Sequence, residues 1–229
     1  MRRLSCLAIA GSCLLLSPTL SQAATWDIDP AHSAVEFSVR HMMVTTVKGQ
    51  FQKLKGTVEL DEKDPTKSAV EVSIETDSLD TREPKRDGHL KSPDFFDAAK
   101  FPTITFKSTK IEKAGKGKFK ITGDLTMHGV TKPVVLMAEG PSAAMKDPFG
   151  RTIRGAMATG KINRKDWGMT WNKTLDAGGM LVSDEVKLEI NAELAERAAP
   201  AAAASEKPDK ATPAPTAAKP STPAAKSTK

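Results

Sequence analysis

The chain has 229 residues, 39% of them hydrophobic, and carries 34 Lys and Arg against 28 Asp and Glu for a formal charge of +6. Of that excess, +2 lies in the first 23 residues and +3 from Glu196 onward, which leaves +1 for residues 24–195 and removes the charge argument for a nucleic-acid surface. Both cysteines, Cys6 and Cys13, fall in the first 23 residues, so the remainder excludes a disulfide framework, a thiol nucleophile and a thiolate metal site.

Residues 1–23 read as a cleavable export signal, and the protein is expected in the periplasm. Met1-Arg2-Arg3 is the positive start, Leu4–Leu16 the apolar stretch, and Ser21-Gln22-Ala23 the small-residue cleavage site. Cys13 follows Ala10-Gly11-Ser12 in the manner of a lipoprotein site, but too few apolar residues precede it and a better cleavage site follows. The apolar run is shorter than the roughly 20 residues that span a bilayer, and no later window is apolar enough to try.

From residue 24 to 195 the pattern is that of strands. Val35, Phe37, Val39 and His41 alternate with Glu36, Ser38 and Arg40; Leu54, Gly56, Val58 and Leu60 do the same before a turn at Asp61–Pro65, and Val70, Val72 and Ile74 follow. Ile104 and Phe106 share a face in the run after Phe101-Pro102, and Ala114–Gly117 closes a hairpin into Phe119, Ile121, Gly123, Leu125 and Met127. Val134, Leu136 and Ala138 come next, and the last strand sets Val186, Leu188, Ile190, Ala192 and Leu194 against Lys187, Glu189, Asn191 and Glu193. Many short strands with one apolar face need a closed shape to hide their edges, which predicts an all-β antiparallel barrel of about eight strands with room for one ligand.

One insertion breaks the strand pattern at 80–99. Pro84 suits a first helical turn, Arg86/Leu90 and Asp87/Lys91 are i,i+4 neighbours, and Ser92-Pro93 reads as a second helix start with Ser at the cap and Pro after it. This helical segment is expected over one end of the barrel. Arg86 and Asp87 form a structural ion pair pinning it there or hold a ligand headgroup; the sequence leaves both readings open. Residues 196–229 are almost all Ala, Pro, Lys, Ser and Thr, with no aromatic or branched aliphatic residue, and read as a disordered tail. It is a solvated spacer or a basic tether to the envelope or membrane surface.

Catalytic patterns are not found. The four histidines, His32, His41, His89 and His128, include no i,i+4 pair, and there is no H-E-x-x-H, G-x-S-x-G, P-loop or dinucleotide fingerprint. The expectation is a non-enzyme with neither metal nor cofactor. His128 reads as a turn residue, His41 as a rim or cavity group, and Trp167 and Met169 as inward-packing bulk beside Gly168.

The stretch Arg86-Asp87-x-His89-Leu90, then Asp94-Phe95-Phe96-Asp97, then Phe101-Pro102-x-Ile104-x-Phe106 resembles the YceI-like lipid-binding family in order and spacing. Trp26–His41 with Val47–Phe51 is similar to that family's opening hairpin, Gly123–Val134 to its G-D-L-T-x-x-G-V-T pattern, and Arg164–Met169 to its R-x-D-[FW]-G-M segment. The resemblance implies a lipocalin-like barrel that binds a polyisoprenoid or other long-chain amphiphile, as carrier or store. The residues expected to contact it are Phe37, Val39, His41 and Phe51 on the opening strands, Arg86, Asp87, His89 and Phe95 on the insertion, and Phe106, Trp167 and Met169. Two other readings stand beside it: an envelope or stress protein whose barrel is filled by its own side chains, and an accessory to quinone-linked redox chemistry. Pairing into a homodimer is left open.

Overall fold

A computed structural model describes residues 23–176 and 178–198. Residues 1–22 of the expected signal (1–23) and residues 199–229 of the expected tail (196–229) lie outside the described residues. In chain order the elements are β1 (Ala24–Ile28), β2 (Ala34–His41), β3 (Thr45–Phe51), β4 (Leu54–Leu60), β5 (Ala69–Glu75), the short β6 (Leu79–Asp80) and helix α1 (Pro84–Lys91). There follow β7 (Thr103–Gly115), β8 (Lys118–Met127), β9 (Val130–Glu139), the short β10 (Met145–Lys146), β11 (Thr152–Asn163) and β12 (Val182–Glu196).

Alternating apolar residues give each strand one face that must leave water, and the sheet satisfies all of them by closing. The ring runs β12-β1-β4-β5-β7-β8-β9-β11, and the β11–β12 pairing from Ile153↔Ala195 to Asn163↔Glu185 seals it. Every pairing is antiparallel. β2 continues β1 along the same edge of β12: Ile28 lies opposite Leu194 and Ala34 opposite Asn191. β3 pairs with β2, and β6 with β3, prolonging the barrel wall at its upper end. The result is the expected closed eight-stranded antiparallel barrel, with no free edge along the ring.

The lower end is closed by Trp26, Leu60 and Leu194, each 5% exposed or less, with the Arg154 guanidinium 5.0 Å from the Trp26 ring centroid. At the upper end lies α1. Glu83 caps it by accepting from the Arg86 N–H at 2.7 Å, and Pro84 takes the first position, where its missing N–H goes unneeded.

The second helix expected from Ser92-Pro93 does not form. The Ser92 hydroxyl turns backward, donating to the His89 carbonyl at 2.7 Å, while its forward contact to the Asp94 N–H is 3.4 Å. Ser92 therefore closes α1 instead of opening another helix. The turn it begins ends at Asp97, whose left-handed φ of 46° is incompatible with helix continuation. At its far end β12 runs to Glu196, and Arg197 still donates its N–H to the Thr25 carbonyl, so the barrel's hydrogen bonding passes the expected boundary at 195.

Candidate functional site

The side chains pointing inward leave two chambers stacked along the barrel axis. The lower, about 210 Å³, is lined by residues such as Ile28, Leu54, Val58, Phe106, Phe119 and Ile121. The upper, about 270 Å³, lies under α1. Val35, Ile74, Leu125 and Leu188 border both, forming a shared waist. Glycine makes room where an aromatic crosses the space: a Cβ on Gly49 would stand 2.4 Å from Phe37 Cζ.

Polarity is distributed unevenly between them. Apart from Ser68 and Glu139, the side chains around the lower chamber are apolar. The upper chamber adds His41, Thr81, Arg86, His89 and Arg164 at its α1 end. The upper chamber alone is thus supplied with donors and cations.

The expected residues separate into three groups. Phe37, Val39, His41 and Phe51, together with Arg86, His89, Phe95 and Met169, border the upper chamber. Phe106 borders the lower one, on the far side of the waist from α1. Asp87 and Trp167 border neither. Trp167 is 2% exposed and donates its indole N–H to the Leu125 carbonyl at 3.1 Å, which makes it part of the barrel's packing.

Arg86 and Asp87 do not pair with each other; they converge on Thr81. The Thr81 N–H and hydroxyl donate to Asp87 Oδ1 at 2.9 and 2.5 Å, and Arg86 donates from Nε to Thr81 Oγ1 at 2.8 Å and from Nη2 to its carbonyl at 2.9 Å. The ion-pair expectation is corrected in form: adjacent helical residues project about 100° apart, so both reach a third residue more readily than one another. His89 is held by Asp94 at 2.9 Å and meets Phe95 and Trp171 edge to face, with ring centroids 5.1 and 4.7 Å away. His128 sits in the β8–β9 turn at φ 50°, its Nδ1 2.8 Å from the Trp167 carbonyl, as a turn residue should.

Sequence reasoning passed over Arg164, Trp171, Leu90 and Phe96, all on the upper chamber wall. Arg164 is 3% exposed and donates to the carbonyls of Met169, Trp171 and Ser183 and to Asp184 at 3.0 Å. Burial pushes its pKa down and Asp184 opposes the shift. The available signal was its place at the head of the R-x-D-W-G-M segment.

A family profile described as the YceI-like domain matches residues 26–194. The YceI protein of Salmonella newport is 41% identical over 182 residues, covering 79% of this chain and 91% of that protein. Among solved structures, the YCEI protein of Campylobacter jejuni aligns with a TM-score of 0.59 at 34% identity, covering 69% of this chain and 90% of the other. A polyisoprenoid binding domain from Saccharophagus degradans shares the fold at a TM-score of 0.54 and 15% identity, covering 76% and 99%. The profile spans the barrel from its first strand to its last, and this chain is a member of the YceI-like family.

Proposed function

We propose that the barrel holds one long-chain amphiphile, an isoprenoid or fatty chain, with its polar end under α1 and its tail passing the waist into the lower chamber. The observation that carries this reading is the one-sided polarity of two apolar chambers that share Val35, Ile74, Leu125 and Leu188 in their walls. Either chamber alone falls below the roughly 300 Å³ at which small-molecule sites begin, whereas the two together lie within that range. A chain threaded through both gains about 0.8 kcal/mol per buried methylene, so few polar contacts are needed for tight binding. The isoprenoid binding named for the Saccharophagus domain is in keeping with such a ligand.

Given the export signal read in the sequence, the protein acts as a carrier or store of this molecule in the periplasm. A barrel filled by its own side chains would not leave two chambers in line, which weighs against that alternative. Native mass spectrometry of protein purified without detergent tests the reading. The expected result is a mass increment that organic extraction identifies as a long-chain amphiphile; ligand-free protein that also fails to take up added isoprenoid overturns it.

A further inference from the structure

The β2–β3 hairpin ends in the turn His41-Met42-Met43-Val44, closed by the Val44 N–H donating to the His41 carbonyl at 3.0 Å. Both central residues are left-handed, with φ of 50° for Met42 and 60° for Met43. That conformation favours Asn-Gly, because a Cβ is strained there. Two methionines occupy it nonetheless, at 45% and 66% exposure, followed by Val44 at 75%. Met180, 44% exposed, stands on the facing loop, which the hairpin grips through the Met42 N–H donating to the Leu181 carbonyl at 2.8 Å. Local strain that presents long apolar side chains to water calls for a functional explanation.

The position of the tip supplies one. Val39 and His41 line the upper chamber just before the turn and Val47 just after it, while Leu181 and Val182 line it beside Met180. The apolar surface therefore runs from the chamber wall to the exposed tip. Behind the tip the Arg40 guanidinium donates to the Met43 and Val44 carbonyls at 2.9 and 3.2 Å, fixing a cation at its base. The segment from Phe37 to Lys48 contains Arg40 and Lys48 and no carboxylate, and the facing loop adds Lys173 and one acid, Asp176.

We infer that Met42, Met43, Val44 and Met180 form a docking tip that inserts into the surface of an anionic bilayer and brings the upper chamber to the membrane from which its ligand comes. A small convex tip cannot supply the roughly 1,000 Å² that a specific protein interface needs, whereas a few apolar side chains backed by cations suffice for an interfacial anchor. The inference rests on the amphiphile reading: a long apolar chain does not cross water unaided, so the chamber must be loaded at contact with a membrane.

The test is flotation of the whole chain with vesicles of phosphatidylglycerol and phosphatidylethanolamine. Met42→Asn/Met43→Gly suits the turn better and removes two of the four apolar side chains of the tip; Phe149→Ala removes an exposed aromatic on the β10–β11 hairpin, at the lower end. The expected result is that the tip variant binds vesicles about tenfold more weakly or worse while melting no lower than the wild type, and that Phe149→Ala binds unchanged. Equal binding by the wild type and the tip variant overturns the inference. So does a wild-type dimer in sedimentation that the tip variant abolishes when neither binds vesicles, since the occupant is then a second copy. Val39→Trp separates the two readings: docking retained with ligand lost supports both, and a ligand-free wild type that still docks through the tip sinks the amphiphile reading alone.

Discussion

Arg164 divides its guanidinium among three carbonyls and Asp184, so it ties the 3-10 turn at 164–167 to the loop that carries Met169 and Trp171. Truncating it leaves buried acceptors without donors, and Arg164→Ala is expected to destabilise the fold by about 3–5 kcal/mol in urea titration. Arg164→Lys should recover only part of this, because an ammonium cannot meet four divergent acceptors from one rigid plane. Thr81, which borders the same chamber, has a comparable role. It is 4% exposed and served by both Arg86 and Asp87, so Asp87→Ala strips a buried N–H of its acceptor and should reduce stability by about 1–3 kcal/mol without removing a chamber-lining group. Loss of ligand retention at unchanged stability in Asp87→Ala would instead make the carboxylate part of the site.

Among the elements, β2 carries the most direct test of the interior. Phe37, Val39 and His41 face the upper chamber, while Glu36 and Ser38 line a groove on the outer face. Val39→Trp should fill part of a space of about 270 Å³ and displace most of the ligand, at an overpacking cost of about 1–3 kcal/mol. Glu36→Gln and Ser38→Ala should stay within about 0.5 kcal/mol of the wild type. Ligand occupancy by mass spectrometry alongside circular dichroism reads this out; a folded Val39→Trp protein with wild-type occupancy would put the ligand elsewhere. β2 was legible in the sequence because its inward residues are large and apolar. β11 was not: its inward positions include Ala156, Ala158 and Gly160, with Ile162 the one bulky member, while Met157 points outward at 51% exposure, so the apolar alternation is faint. Gly160 is small for a reason only the assembled sheet reveals, since a Cβ there would meet Leu136 Cδ2 at 2.6 Å. The β2–β3 turn was obscure for a related reason. Met-Met carries no turn signal, and its left-handed backbone is imposed by the pairing of the strands it joins, at about 1–2 kcal/mol per residue.

Over the whole molecule, the first and last strands meet at the bottom of the barrel, where Arg197 donates its N–H to the Thr25 carbonyl and pairs through its guanidinium with Asp27. Hydrogen bonding to Arg197 lowers the Asp27 pKa below its ordinary value of 3.8; that of Asp29 is lowered by the Ala31 N–H and then by His32 and Arg151. A carboxylate whose folded-state pKa is depressed contributes stability that is fully present above its unfolded value and vanishes as pH falls through the folded one. Stability contributed by these groups should therefore hold from neutrality down to about pH 4 and decline below it. Arg197→Ala should be less stable than the wild type at neutral pH, and the two should converge as Asp27 is protonated. Truncation after Ala195 removes the same partner together with the Arg197 N–H bond to Thr25 and the pairing of Glu196 with Trp26, so it should stay less stable than the wild type even after Asp27 is protonated, whereas truncation after Ala198 keeps every one of these bonds and should melt with the full chain. Thermal melts of the four proteins across the acid range decide the matter: a gap between wild type and Arg197→Ala that stays constant with pH would show that the Arg197 side chain acts through its packing, not through the charge on Asp27.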